Sequence, residues 1–246
     1  MVLGVPFDAM GREEAEQRLR NFLLSDTQTF VATPNPEMLV LASSDPDFQS
    51  VLKRADMTLV DGYGIVLAGL SQGVRLRRFT GVDATLSLAR IGENLGCRML
   101  LLGGLHDADA PKAAEALREV CPRLDVRGIS GGLIQKEDGV WTGGEEAEKE
   151  IQSFAPHILA ASLGHGKQER WICDHLGRFP SVKIAIGVGG AVEFLSGRQK
   201  RAPHWLRAAG LEWLYRLLRG PKRFARIFRA TILFPALVIR SRIRSL

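Results

Sequence analysis

Six short segments are rich in glycine or in polar and charged side chains, and each follows or ends an apolar run of the kind that predicts a strand. They are TPNPE at 33–37, DGYG at 61–64, RFTGVD at 78–83, LLGG at 101–104, GHGKQERW at 164–171 and GVGGA at 187–191. Asp61 has a carboxylate that can act as a general base, and Arg78 has a guanidinium that suits a diphosphate. These residue types predict base-assisted chemistry on a ligand that carries phosphate.

Three of these segments are glycine-rich turns where backbone can approach a ligand. Gly103 and Gly104 precede a predicted helix, whose first amides suit an anion. Gly187, Gly189 and Gly190 fall within four residues, a density that favours positive φ or close backbone approach. The third turn contains Gly164 and Gly166. The two residues that follow it, Lys167 and Gln168, have side chains that can bind phosphate, uracil or a sugar.

Each segment also has a purely structural interpretation. Asn35 followed by Pro36 suits the N-cap and first position of a helix. Asp61 and Asp83 suit N-caps as well, and Gln168 suits a solvated first helical turn. Tight packing between strand and helix alone explains the GVGG glycines, so both interpretations stay open on these residues.

The elements around the segments alternate between strand and helix. Strands are predicted at 29–32, 57–60, 98–102, 124–127, 157–163 and 182–186. Helices are predicted at 36–43, 46–54, 82–95, 111–120, 145–154 and 167–179. This order predicts an α/β fold with a Rossmann-like, doubly wound, mostly parallel sheet. Ligands bind such sheets at the carboxyl ends of the strands, where all six segments lie.

The charge is divided unevenly along the chain. Residues 1–196 carry a net charge of about −6, whereas residues 197–246 carry about +12 and show no strand pattern. We therefore predict an α/β core over 1–196 and a basic, amphipathic helical appendage over 197–246. A basic segment of this kind predicts nucleic acid or an anionic membrane surface as its partner.

No pattern predicts a metal or a cofactor. Cys97, Cys121 and Cys173 lie far apart and are expected to be reduced. Asp45 and Asp47 match the spacing of a DxD motif but stand where a helix is expected to begin. The N-terminal residues lack the pattern of a secretory signal, and the apolar runs are too short to span a bilayer. We expect a cytoplasmic protein that lies on a membrane without crossing it.

The six segments occur in the order seen in a known enzyme family. Together with GVGGAVEFLSGRQKRAP at 187–203 and GLEWLYRLLRGPKR at 210–223, they resemble the WecG/TagA/CpsF glycosyltransferases over nearly the whole chain. The resemblance implies an inverting, metal-independent transfer of a hexose from a UDP donor, the hexose being N-acetylmannosamine, its uronic acid or a related sugar. The acceptor would be a polyprenyl-diphosphate-linked sugar used for cell-surface polysaccharide or teichoic acid.

The resemblance also implies roles for individual residues. Asp61 matches the proposed base, with Thr33 beside it in catalysis, and Asn35 matches a residue that positions a sugar. Arg78 and Gln168 match residues tied to donor or acceptor binding, and Arg216, Arg223 and Arg226 match arginines implicated near the diphosphate. The glycine-rich turns add Gly103, Gly104, Gly187, Gly189 and Gly190 as predicted substrate-binding residues. The pair His165-Gly166 departs from the family pattern, a difference expected to affect donor choice. Predicted partners are the two substrates and the anionic inner face of the cell membrane, with a homo-oligomer away from the membrane and no nucleic acid.

Three other functions were weighed against this one. An NAD-dependent dehydrogenase would use LLGG or GVGG as its dinucleotide turn, but GxGxxG and its downstream acidic residue are missing. A glycoside hydrolase would use Asp61 and Glu193, which leaves the basic appendage unexplained. A nucleic-acid-binding module would explain the appendage, but no such motif is present.

Overall fold

Strands and helices alternate along the chain, as the sequence predicts. The computed structural model describes residues 1–132, 135–137, 140–142, 144–199, 203, 206 and 227–243. The strands are β1 (Thr29–Ala32), β2 (Met57–Thr58), β3 (Arg98–Gly103), β4 (Asp125–Ile129), β5 (Gln135–Glu137), β6 (Val140–Thr142), β7 (Ile158–Ser162) and β8 (Ile184–Gly187). The helices are α1 (Arg12–Leu24), α2 (Pro36–Ser44), α3 (Pro46–Lys53), α4 (Tyr63–Ser71), α5 (Gly81–Leu95), α6 (Asp109–Val120), α7 (Glu145–Phe154), α8 (Lys167–His175), α9 (Ala191–Leu195) and α10 (Phe234–Ile243).

Six of the described strands form one open sheet in the order β2-β1-β8-β7-β3-β4, and every neighbouring pair is parallel. The α/β, Rossmann-like, doubly wound prediction is confirmed. Strands β5 and β6 form a separate antiparallel hairpin that was not predicted. Because all six strands run the same way, their carboxyl ends and the segments that follow them share one edge.

Each face of the sheet is covered by helices, which explains why the central strands are apolar on both sides. In β3, Leu100 and Leu102 pack on the face covered by α2, α3 and α8, whereas Met99 and Leu101 pack on the face covered by α1, α5 and α6. Successive side chains of a strand point to opposite faces, so a doubly covered strand must be apolar throughout.

Several helices begin and end at residues whose chemistry fixes the boundary. Asn35 caps α2 by accepting a hydrogen bond from the amide of Met38, with Pro36 in the first turn. Thr80 caps α5 in a reciprocal capping box, and α5 ends at Gly96 with a left-handed φ of 66°. The helix predicted over 111–120 begins two residues earlier, at Asp109.

The described C-terminal residues are helical and pack on the core. Phe234 and Val238 belong to the buried cluster on the α2 side of the sheet, and α10 contacts α2 and α4. A widened π-helical turn, Arg229–Leu233, precedes α10. Pro235 explains it, because proline donates no backbone hydrogen bond and its ring clashes with the preceding turn. The boundary at residue 197 stays a prediction.

Candidate active site

Thr33 joins the first predicted segment to the last. Its hydroxyl donates a hydrogen bond to the carbonyl oxygen of Gly187 at 2.7 Å, and the residue is only 3% exposed. The same segment reaches the second one, because the amide of Asp61 donates to the carbonyl of Pro34 at 3.1 Å. The ends of β1, β2 and β8 are therefore held together by hydrogen bonds.

The RFTGVD segment completes a ring of contacts around this edge. Arg78 forms a parallel bridge with Val60, immediately before Asp61, and the amide of Phe79 donates to the Val60 carbonyl at 3.0 Å. On the other side, a Cβ on Gly81 would lie 2.5 Å from the carbonyl oxygen of Val188. Glycine is needed there because two backbones touch. Four of the six segments thus form one closed cluster.

Asp61 lies in this cluster and does not cap the helix that follows it. The N-cap of α4 is Gly62, with φ of 147° and no side-chain cap, so the N-cap interpretation of Asp61 is wrong. A Cβ on Gly62 would lie 2.7 Å from Cδ of Pro36, which explains the glycine after the aspartate. Asp61 is partly exposed, which leaves it accessible to a ligand at the carboxyl edge.

Gln168 is buried, so the interpretation as part of a solvated helical turn is wrong for it. Its Oε1 accepts a hydrogen bond from the amide of Gly189 at 3.3 Å, and its Nε2 donates to Oε1 of Glu169 at 2.6 Å. A Cβ on Gly187 would lie 2.8 Å from Gln168 Nε2. Gln168 therefore holds the GVGG turn in place from the neighbouring strand end.

Glu169 was missed by the sequence analysis, although its position in the third place of α8 is a capping-box signal. It is fully buried, and its Oε2 accepts a hydrogen bond from the amide of Gly166 at 2.8 Å. Burial raises the pKa of the Glu169 carboxyl, and hydrogen bonds from Gln168 and Gly166 oppose that rise only in part. A buried carboxyl thus underlies the turn that carries His165.

His165 connects two segments that are 130 positions apart. Its Nε2 lies 3.2 Å from Asn35 Nδ2, and its Nδ1 lies 3.3 Å from Oε2 of Glu37. Because Asn35 Oδ1 already accepts from the Met38 amide, Asn35 presents its NH₂ group to the ring. The hydrogen-bond pattern assigns the neutral tautomer, in which Nε2 accepts and Nδ1–H donates to Glu37.

The LLGG turn packs tightly against β7 and the start of α6. The amide of Gly104 donates to the Ser162 carbonyl at 2.8 Å, and a Cβ on Gly103 would lie 2.5 Å from that same oxygen. Asp109 accepts hydrogen bonds from the His106 amide and from Arg198 at this turn. Burial alone would raise the pKa of Asp109, but the Arg198 and His106 bonds outweigh it and lower the pKa. A carboxylate therefore already occupies the first turn of α6.

The remaining acidic candidates are engaged in helix starts. Asp45 caps α3 and pairs with Arg170 at 2.6 Å. Asp83 is not the N-cap of α5, which is Thr80, but its side chain completes the capping box from the third position of the helix. Gly190 is the N-cap of α9.

Within the described ranges, no group of three or more His, Cys, Asp or Glu side chains is arranged to hold a metal ion. Arg216, Arg223 and Arg226 lie outside the described residues.

With this geometry established, comparisons with known proteins give a consistent result. The model of the "Glycosyl transferase WecG/TagA/CpsF family" matches residues 1–246. The chain is 30% identical over 233 residues to an N-acetylglucosaminyldiphosphoundecaprenol N-acetyl-beta-D-mannosaminyltransferase of Staphylococcus aureus strain MRSA252, covering 92% of this chain and 87% of that protein. The protein of the same name from strain MW2 matches with the same identity and coverage.

Proposed function

The chain belongs to the WecG/TagA/CpsF family of glycosyltransferases, and we propose that it transfers N-acetylmannosamine, or a closely related hexose, from a UDP donor to N-acetylglucosaminyl-diphosphoundecaprenol. The names of the staphylococcal relatives support the sugar and the acceptor. The observation that carries the proposal is the cluster at the carboxyl edge, where Asp61 is held between Pro34 and the Arg78 segment. It combines a carboxylate with a cation at the edge where such sheets bind nucleotides.

In this proposal Asp61 is the general base. Its carboxylate accepts the proton of the acceptor hydroxyl while that oxygen bonds to the anomeric carbon of the donor. The bond between the anomeric carbon and the diphosphate oxygen breaks, and its electron pair leaves with UDP. A single displacement of this kind inverts the anomeric configuration. Thr33 donates its own proton to Gly187, so its hydroxyl oxygen is available as an acceptor for a sugar hydroxyl.

Positive side chains replace a metal in this mechanism. Arg78 lies on the strand end next to Asp61, where its guanidinium can pair with a diphosphate. We assign the same role to Arg216, Arg223 and Arg226 of the basic appendage, by their match to the family. Fixed cations stabilise the negative charge that develops on the leaving diphosphate without a metal ion.

The remaining binding residues would shape the donor pocket. Gly187, Gly189 and Gly190 let the backbone approach the nucleotide, and Gln168 holds that turn by its bond to the Gly189 amide. Asn35 orients a sugar from the start of α2. Ser162 joins the GVGG turn to the LLGG turn. Its carbonyl accepts a hydrogen bond from the Gly104 amide, and its hydroxyl donates one to the Gly189 carbonyl at 2.5 Å.

The proposed place of action is the inner face of the cell membrane, where the enzyme would serve the synthesis of a cell-surface polymer. In the part of the chain that the structure describes, no helix combines the length and apolar character that a membrane span requires. The charge of about +12 on residues 197–246 supports attraction to an anionic leaflet.

The weighed alternatives gain no support from the geometry. A dinucleotide turn needs a free helix start of useful length, but α9 has five residues and Asp109 occupies the first turn of α6. Family membership favours glycosyl transfer over a nucleic-acid-binding module. The direct experiment is a screen of UDP-sugars against synthetic N-acetylglucosaminyl-diphosphoundecaprenol, read by mass spectrometry. We expect a product heavier by one N-acetylmannosaminyl group, and a screen in which no UDP-sugar is transferred would refute the proposal.

A further inference from the structure

Helix α4 carries no charged residue, yet one of its faces is exposed. Its sequence is YGIVLAGLS. Leu67 is 57% exposed and Leu70 is 59% exposed, and Tyr63 precedes them on the same face at the i, i+4, i+7 spacing. Ile65 and Ala68 are buried on the opposite side. A helix that is apolar all round is normally covered on all sides, so the exposed face of α4 indicates an apolar partner.

Helix α10 lies against α4 and shows the same feature. A Cβ on Gly64 would lie 3.4 Å from Cε1 of Phe234, which is buried between the helices and the core. On the outer side, Ile239 is 61% exposed and Ile243 is 68% exposed, and Ile232 continues this stripe two turns earlier. Two contacting helices therefore each present a stripe of large apolar side chains.

These stripes are not an ordinary scatter of exposed apolar residues. Nine of the fourteen exposed large apolar side chains among the described residues lie within 63–74 and 227–243. Single exposed apolar residues need no explanation, whereas a concentration on neighbouring elements marks an interaction surface.

The charges within and just beyond these stripes have one sign. Residues 62–82 and 227–243 contain arginine but no aspartate or glutamate. Arg75 and Arg77 are exposed just beyond α4, where the loop is held because Leu76 packs against Gly69. Arg240 is exposed on α10. The apolar stripes thus carry a positive border.

We propose that α4 and α10 together form a lipid-inserting surface, which places Leu67, Leu70, Ile239 and Ile243 in the apolar boundary of an anionic bilayer. Apolar side chains with a border of arginine match a membrane that has anionic headgroups. A second copy of this chain fits less well, because a two-fold interface would place the arginines of one copy against those of the other.

The position of the surface gives it a role in the reaction. Helix α4 begins two residues after Asp61, so inserting α4 would bring the candidate base to the depth of lipid headgroups. The inference rests on the proposed function, because a lipid-linked acceptor presents its sugar at that depth. It extends the membrane contact expected of the basic appendage, which contains α10, to α4 of the α/β core.

The test compares full-length protein with the Leu67→Gln/Leu70→Gln variant in flotation with vesicles of phosphatidylcholine and phosphatidylglycerol. We expect the variant's partition coefficient to fall about tenfold or more, the loss expected when two leucine-sized groups leave an apolar phase. The matched control is Leu24→Gln/Val120→Gln, which changes two apolar residues of comparable exposure on α1 and α6 and should float like the unmodified protein. A Leu67→Ala/Leu70→Ala variant keeps helix propensity and should show a smaller loss.

Transfer to a short-chain, water-soluble acceptor separates this inference from the proposed function. All variants should retain that turnover, and no turnover in the unmodified protein would refute the proposed function while leaving the flotation result to judge the surface. Undiminished flotation of both leucine variants would overturn the inference. The inference would also be overturned if the unmodified protein bound vesicles of phosphatidylcholine alone as well as it binds those with phosphatidylglycerol. A third contrary result would be a dimer in solution that becomes a monomer in the leucine variants while vesicle binding is unchanged.

Discussion

Nδ2 of Asn35 lies 3.2 Å from Nε2 of His165, and this contact joins the N-cap of α2 to the turn before α8. The opposite ring nitrogen faces Glu37, which lies 4.0 Å from Arg229 of the C-terminal segment. His165 therefore links the predicted sugar-positioning residue to a residue beyond the predicted domain boundary. The predicted departure from the family pattern lies at His165-Gly166, so we expect this contact to affect donor binding.

Replacing His165 by alanine should weaken donor binding more than it slows the reaction. Loss of one hydrogen bond to Asn35 corresponds to roughly a 3- to 10-fold rise in the KM for the donor, and kcat should stay within about twofold. Steady-state kinetics over a range of donor concentrations checks this. His106→Ala is the matched control, because the His106 side chain is exposed and the hydrogen bonds between His106 and Asp109 use the His106 backbone amide and carbonyl. His165→Gln should recover part of the loss, and a KM unchanged in His165→Ala would contradict the positioning role.

A side chain at Gly187 should damage the site through Gln168. The added Cβ of Gly187→Ala would lie 2.8 Å from both Gln168 Nε2 and Glu169 Oε1, and both of those residues are buried. Overpacking of this kind costs about 1–3 kcal/mol, measurable by urea unfolding, and turnover should fall with it.

The control for that experiment is Gly177→Ala, since nothing lies within 4 Å of a Cβ at that exposed position. Gly177→Ala should have the same free energy of unfolding and the same turnover number as the unmodified protein. If the Gly187 variant behaved in the same way, the close packing of the GVGG turn would be of no consequence for the site.

His157 should make the folded state less stable as the pH falls below about 6.5. Burial, followed by the nearby charges of Arg98 and Lys183, lowers the pKa of His157 from 6.5. Its Nδ1 accepts the Arg98 amide, so the folded state favours the neutral ring. As the pH falls through 6.5, His157 is protonated in the unfolded chain before it is protonated in the folded protein. The free energy of unfolding therefore decreases between pH 6.5 and the lower pKa that His157 has in the folded state.

The measurement is the thermal midpoint between pH 7.5 and 5.5. His157→Asn keeps an acceptor for the Arg98 amide and cannot be protonated, so its midpoint should fall less over this range. Identical pH dependence in both proteins would remove His157 as a source of it.

Strand positions, helix order and fold class were predictable because buried parallel strands are apolar runs and helices begin at proline or capping residues. Helix α1 was missed because only Ala15, Leu19 and Leu23 form its narrow buried face. Helix α4 was missed because it lacks polar periodicity: its outer face is apolar as well.

The candidate segments were predictable, but their contacts were not. Local sequence cannot show that Thr33 reaches Gly187, or that Asn35 reaches His165, because the sheet order brings these residues together. A solvated helical turn was one of two interpretations of Gln168, and only the fold shows that Gln168 and its neighbour Glu169 are buried. The N-cap role of Asn35 was recognisable, since capping depends on neighbours three residues away. Asp83 was expected to be an N-cap, but it completes the capping box of Thr80.

Transfer should proceed at the full rate in EDTA. The sequence has no convincing DxD or Cys and His cluster, and the described residues include no group suited to a metal. Fixed arginines are proposed to neutralise the leaving diphosphate instead. The check is turnover before and after chelation, followed by addition of Mg²⁺ or Mn²⁺. Activity that disappears in EDTA and returns with either ion would show that the arginines are insufficient.

The most direct test of the central claim is the kcat of Asp61→Asn, measured with saturating UDP-sugar and acceptor alongside the donor Kd. If Asp61 is the general base, kcat should fall about 10²–10⁴-fold while the donor Kd changes by less than about twofold, because asparagine keeps the shape of the side chain without its basicity. Retention of more than half of the unmodified turnover would contradict the assignment. A variant that loses donor binding to the same extent as turnover would place Asp61 in substrate binding and not in proton transfer.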